Sequence, residues 1–393
     1  MLLLPLVCSV AGALADDRAF VGSAPNGSLL LQPAAGQQVL VDGVEFQALV
    51  REMAALRHDF EQTRQCAGVR ADETIITHLD GFTKWRGLAK ATDGRLVALP
   101  AAQSAVAIID PLTYTLDRTS LRAPRGGSDS WLGAVAGPDN KVYGCPHNDN
   151  SILTIDLTAM TVDASIVVST GQDQWANGAL GLDGNIYCVA FNAATVLKFN
   201  PRNGSVSHIS LPTALRATSG KWHGGVTARD GRIFMIPYNA DTVGIINVQT
   251  QTIDITSMSL STSANQKWAG GVLAANGRIY AAPYDSSQVL VIDPVSNTVN
   301  TTLFAGISAS TAKWIGLVAA GSKIYGIPFS ANAVLIIDPA ANTTDTATLP
   351  VPGDVAKWYG GVLADNGRIF AVPHNSPSVL VLHSSCVLAG PLV

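Results

Sequence analysis

All seven tryptophans of this 393-residue chain fall at one phase of a single repeat: Trp85, Trp131, Trp175, Trp222, Trp268, Trp314 and Trp358. The intervals between them are 46, 44, 47, 46, 46 and 44 residues. The same phrase surrounds each one. It is clearest over 267–294, KWAGGVLAANGRIYAAPYDSSQVLVIDP, and again from Lys357, KWYGGVLADNGRIFAVPHNSPSVLVL. Self-similarity at this period confines the chain to repeat architectures, in which each unit buries its apolar face against the next.

Each copy reads as four short strands. Residues 268–274 are apolar on both faces, which suits an innermost strand squeezed between neighbours. Asn276-Gly277 is a hairpin signal, read here as a two-residue turn with positive φ at both central positions, and Asp93-Gly94, Asp183-Gly184, Asp230-Gly231 and Asn366-Gly367 repeat it. Residues 278–282 and 289–292 form the second and third strands, and 299–303 alternates polar and apolar residues as a half-exposed outer strand does. Four-stranded units at this period are propeller blades, whereas a solenoid carries atypical capping repeats. The chain ends supply the closure. The last copy stops after its third strand, 378–382, and an orphan strand, 73–78 (ETIITH), precedes the first tryptophan. The expectation is an all-β, seven-bladed propeller of four-stranded antiparallel blades over 73–386, closed by an N-terminal strand that completes the last blade.

Closure places Cys66 and Cys386 beside the cut, and a disulfide between them is expected to staple the ring in an oxidising compartment. Cys145 and Cys188 lie on second strands of adjacent blades, offset by one residue, and read as buried thiols facing opposite ways.

Residues 1–15 are almost wholly apolar and end in small residues before Asp16-Asp17, which reads as a signal peptide. Within 16–72, short strands with a turn are expected over 28–41, and Asp42 with Glu45 forms a capping-box pattern. A helix over about 43–64 follows, striped by Phe46, Leu49, Met53, Leu56 and Phe60. Such a stripe either docks on a neighbouring surface or joins three copies into a stalk. Residues 387–393 form a tail. The chain is 47% hydrophobic and 14% charged, with net charge −4 and no basic run, so neither a nucleic-acid nor an anionic-membrane partner is expected. No segment beyond the N-terminus is long and apolar enough to span a bilayer.

The phrase GGVLAANGRIYAAPYDSSQVLVIDP resembles the NHL and YVTN propellers and the virginiamycin B lyase group related to them. That resemblance covers Trp85 to about Leu382. It implies the fold and leaves function open, because propellers host binding modules and enzymes alike.

Strand order puts the loop carrying each tryptophan and the loop after each second strand on one face. Two rings of candidate ligand-binding residues coincide there. One comprises Lys84-Trp85, Lys221-Trp222, Lys267-Trp268, Lys313-Trp314 and Lys357-Trp358. The other comprises His147-Asn148, Phe191-Asn192, Tyr238-Asn239, Tyr284-Asp285 and His374-Asn375, with Phe329-Ser330 in the same register and blade 1 departing at Ala101-Ala102. Aromatic rings beside amide and ammonium donors suit a glycan or a protein ligand. The competing reading of the tryptophans is structural, as wedges between blades covered by the lysine stems. The lyase-like resemblance implies a His and carboxylate site with a divalent metal, for which His147, His223, His374 and Asp285 are the candidates. Their spread over several blades fits one ion poorly, so no metal, no cofactor and no catalytic residue is expected. The reading is a secreted or cell-surface recognition or scaffold propeller. The alternatives are a metal-dependent lyase- or lactonase-like enzyme and the structural head of an oligomeric fibre.

Overall fold

The computed structural model describes residues 69–383 except 125–128, 169–170, 262–263 and 305, together with the backbone of four short N-terminal strands. The chain divides into two compact units, Met1–Ala67 and Gly68–Val393. In the first, Phe20–Ser23 pairs with Leu29–Gln32, and Leu40–Val41 pairs with Val44–Glu45. The last pairing corrects the expected helix start: Val44–Glu45 is a strand paired with Leu40–Val41. The rest of the striped segment, the signal peptide, Cys66, Cys386 and the tail lie outside the described residues.

The second unit is the seven-bladed propeller. Six blades have four antiparallel strands in sequence order from the axis outward, and the seventh is completed from the N-terminal end. Blade 5 is representative, with strands Trp268–Leu273, Ile279–Pro283, Leu290–Asp293 and Thr298–Asn300. Three lie within one residue of the sequence reading. The outer one stops early because Asn300 Oδ1 accepts from the backbone N–H groups of Thr302 (2.8 Å) and Leu303 (2.9 Å), turning the chain out of the sheet. The aspartates that end third strands do likewise: Asp110, Asp156, Asp293 and Asp338 each accept from two backbone N–H groups of the following turn.

Three expectations are corrected. The closing strand is Arg70–Asp72, paired with Leu380–His383 through Val381↔Asp72 and Leu382↔Ala71, rather than 73–78. Asp72 Oδ1 accepts from the backbone N–H of Thr74 at 2.9 Å and ends the strand, after which Ile76 and Leu79 are buried in the seam with blade 1. The Asx-Gly hairpins are not two-residue turns. Gly277 N–H donates to Ala274 O (3.0 Å) and Gly277 alone takes φ +80° while Asn276 does not, which is a type I turn ending in a left-handed glycine.

The third correction is the disulfide Cys145–Cys188, with Cα atoms 5.7 Å apart. A one-residue offset puts two side chains on opposite faces of their strands. In a single sheet that separates them, but blades stack face to face. The face of blade 2 toward blade 3 and the face of blade 3 toward blade 2 are opposite faces, so the offset makes the two thiols meet.

Each tryptophan is buried and packs against the preceding blade. Trp131 lies among Val97, Leu99, Val106 and Ile108 of blade 1, and Trp222 among Val189, Val196 and Leu211 of blade 3. Each indole N–H reaches a backbone carbonyl 19 or 20 residues on, at the start of its own blade's third strand, as in Trp85 to Ala105 (2.8 Å) and Trp268 to Gln288 (2.7 Å). One residue type thus fastens blade to blade and strand to strand, which accounts for its place in every copy. At the axis, inner strands approach so closely that a Cβ on Gly133 would lie 2.3 Å from Asn177 Cα, and one on Gly270 3.1 Å from Gly316 Cα.

Candidate functional site

In all seven blades the second strand ends at a residue paired with the tryptophan, for example Pro237 with Trp222 and Pro283 with Trp268, and in six of them the next residue carries an aromatic ring that turns toward the axis. These residues form a continuous band. Ring centroids lie 5.8 Å apart for His147–Phe191, 5.7 Å for Phe191–Tyr238 and for Tyr238–Tyr284, 6.2 Å for Tyr284–Phe329 and 5.6 Å for Phe329–His374. Phe191, Tyr238, Tyr284 and Phe329 are half-buried, while His147 and His374 are buried. Under the band lies a plug made by the residue after each tryptophan. Leu132, Ala176, Ala269, Ile315 and Tyr359 come from five different blades yet share one cluster, so they meet at the axis. Arg86 and His223 hold the same position in blades 1 and 4.

The expected lysine ring does not face a ligand. Lys84, Lys221, Lys267, Lys313 and Lys357 are at most 3% exposed. Each ammonium donates to the carbonyl three residues earlier in its own loop, as in Lys221 to Thr218 (2.7 Å) and Lys267 to Ala264 (2.6 Å). Burial drives their pKa values down, that of Lys221 to about 8. Lys357 also lies over the Trp358 ring, 6.0 Å from its centroid. The contacts that these buried lysines and tryptophans make are framework contacts within and between blades.

The polar residues that follow the aromatic band are also committed. Asn148, Asn192, Asn239, Asp285, Ser330 and Asn375 each accept from the backbone N–H two residues before the next blade's tryptophan: Asp173, Gly220, Gln266, Ala312, Ala356 and Thr83. All six of those donors have positive φ, between 49° and 60°. The side chains are thus staples between consecutive blades that hold a left-handed residue in place. Replacing Asn239 with Ala removes its bond to Gln266 N–H (2.8 Å) and its donation to Ser219 O (3.1 Å). It is expected to cost about 1–2 kcal/mol in urea denaturation. The seam from blade 1 to blade 2 is built differently. Ala102 has no acceptor, and Arg86 Nε instead faces Asp129 Oδ1 at 3.0 Å across the seam.

Burial lowers the pKa of each of the three histidines around the axis. Asn177 Nδ2 donates to His223 Nδ1 (3.2 Å), which leaves the ring proton on Nε2 for Tyr359 Oη (2.9 Å), and burial pushes this pKa down to about 3. His374 is brought down to about 4, first by burial and then by the Arg86 charge, and its Nε2 accepts from Arg86 Nε at 3.3 Å. His147 donates from Nδ1 to Trp175 O (2.8 Å) with Nε2 3.0 Å from Asp173 Oδ1, and burial lowers its pKa against that carboxylate's pull. Burial raises the phenols of Tyr238, Tyr284 and Tyr359, so all stay protonated near neutral pH.

A divalent ion does not fit this donor set. Both ring nitrogens of His147 and His223 are engaged by protein, His374 faces a guanidinium, and Asp285 Oδ1 is a staple. Among the described residues no group of three or more His, Cys, Asp or Glu is arranged to hold a metal. Arg86, Asp129, Asp173, Asn177 and Tyr359 are site residues that the sequence reading does not mark. The available signal is the break in the repeat: Arg, His and Tyr stand after the tryptophan where other blades carry Leu, Ala or Ile.

Comparison of the fold with solved structures finds the same architecture. A streptogramin B lyase aligns with TM-score 0.66 at 13% identity, over 80% of this chain and 97% of that one. The chain shares the propeller fold of virginiamycin B lyase. The enzyme from Staphylococcus aureus, in a catalytically inactive form with quinupristin, aligns with TM-score 0.67 at 14% identity, over 80% of this chain and 99% of its own. The extracellular domain of a putative hybrid two-component system from B. thetaiotaomicron aligns with TM-score 0.60 at 10% identity, over 79% of this chain and 42% of that one. No protein-family model matches the chain, and no curated protein matches it by sequence. Among the described residues no helix is long and apolar enough to cross a membrane.

Proposed function

We propose that this chain is an extracellular recognition propeller that binds carbohydrate at the mouth bordered by the aromatic band. The carrying observation is the run of half-buried aromatic side chains across four consecutive blades, Phe191, Tyr238, Tyr284 and Phe329. The scaffold does not require them, because blade 1 has Ala101 at the same position and keeps the same four-stranded sheet. Their polar neighbours staple the loops, so the rings are held rigid before any ligand arrives. Rigid aromatic faces with phenol hydroxyls contribute contact area at small entropic cost, which suits the apolar faces and hydroxyls of a sugar ring.

An oxidising compartment is supported by the buried Cys145–Cys188 disulfide. The fold also recurs in extracellular domains of bacterial sensor proteins. A glycan array probed with the full chain tests the reading. The wild type is expected to select a set of glycans, and Tyr238→Ala with Tyr284→Ala to weaken that binding about tenfold or more with little change in Tm. Silence of the wild type across the array would remove carbohydrate from the account.

A further inference from the structure

We infer that the mouth reads a carboxylate on its sugar, through Arg86. The inference rests on the carbohydrate reading and names the class of sugar. Arg86 stands at a position where five of the seven blades carry Leu, Ala, Ile or Tyr, all members of the axial plug. It lies beside the one break in the aromatic band, at Ala101, with its guanidinium 5.2 Å from the centre of the Tyr359 ring. The repeat does not ask for a cation there, and burying part of one carries a desolvation cost that an apolar side chain avoids.

Its placement is specific. Nε donates to His374 Nε2 (3.3 Å) and lies 3.0 Å from Asp129 Oδ1 as an ion pair, which together hold the group in place. The terminal nitrogens make no hydrogen bond to any described residue, and the side chain remains 21% exposed. A guanidinium held through Nε, stacked on a tyrosine and open at its two outer nitrogens presents the fork that pairs with a carboxylate in two parallel bonds. Phe329 adjoins Tyr359 at 6.0 Å between centroids, and Tyr284 adjoins Phe329, so a ring anchored by its carboxylate lies against an aromatic surface. The neutral histidines fit this arrangement. His223 and His374 carry no positive charge at neutral pH, so the Arg86 guanidinium, ion-paired with Asp129, is the cation offered to an acidic sugar at the plug. The ligand class is hexuronate oligosaccharide.

The experiment is titration calorimetry of the full chain with trimers of galacturonate, glucuronate and mannuronate, each paired with its carboxyl-reduced counterpart. At least one acidic trimer is expected to bind about tenfold or more tighter than its reduced partner, an advantage that shrinks as salt is raised. Arg86→Gln is expected to abolish the difference, and Arg86→Lys to keep a fraction of it, since lysine retains the charge without the fork. Circular dichroism confirms that both variants keep the fold. Equal binding within every pair, or a difference that survives Arg86→Gln, overturns the inference while leaving the carbohydrate reading in place. Binding of no trimer, acidic or reduced, together with a silent array, overturns both.

Discussion

Replacing Trp222 with alanine is expected to destabilise the propeller by about 3–5 kcal/mol, the range for removing a large aromatic from a packed core. The side chain is fully buried between blades 3 and 4, against Val189, Val196 and Leu211 on one side and Met235 and Ile246 on the other. Its indole also satisfies Thr242 O at 2.9 Å. Both losses fall on one seam of a ring in which every blade is held by two neighbours. A domain stabilised by roughly 5–15 kcal/mol gives up a large share of its margin in this way. Trp222→Phe retains most of the packing and leaves the carbonyl without its donor, for a smaller cost of about 1–3 kcal/mol. Urea denaturation followed by far-UV circular dichroism reads both. A loss below about 1 kcal/mol for the alanine variant would contradict the wedge role.

Opening the Cys145–Cys188 bridge is expected to cost about 4 kcal/mol, from the loss of a constraint on the unfolded chain. The two cysteines are 43 residues apart in sequence, and the bridge ties the second strands of blades 2 and 3. Both residues are at most 2% exposed, so a reductant reaches the bond only after the blades part. Unfolding midpoints with and without a strong reductant measure the cost. Peptide mapping of the non-reduced protein tests the pairing itself and reports on Cys66 and Cys386 in the same run. Alkylation of Cys145 and Cys188 in unfolded, non-reduced protein would contradict the bridge.

The blades are legible in the sequence because two strong signals coincide: a tryptophan needed once per blade, and strands whose apolar runs are cut by Asx-Gly. Details go astray where one local pattern serves two geometries. Asn276-Gly277 suits either a two-residue turn or the last two residues of a three-residue loop, and the choice depends on how inner and second strands pair. Asp42 with Glu45 matches a helix cap, yet Val44–Glu45 pairs as a strand with Leu40–Val41. The offset of Cys145 and Cys188 separates two thiols within one sheet, whereas it has the opposite meaning for stacked blades. Lysine before tryptophan resembles a surface cation, yet the loop folds back so that its own carbonyl receives the ammonium. The asparagines resemble ligand contacts because their partners, backbone N–H groups of the next blade, belong to residues 25 to 28 positions away and carry no sequence mark. The aromatic band itself is visible in the sequence. The axial set of Arg86, His223 and Tyr359 is written there as departures from the repeat.

The chain has eight tyrosines, and their placement gives the most direct test of the central claim. Tyr238 and Tyr284 lie at the mouth and Tyr359 in the plug just beneath them, whereas Tyr143, Tyr187, Tyr280 and Tyr325 are buried between blades. With tyrosine rings labelled with carbon-13, addition of a glycan selected on the array is expected to shift the resonances of Tyr238, Tyr284 and Tyr359 and leave the inter-blade set in place. Saturable binding that shifts none of the three would contradict the assignment of this mouth as the binding site.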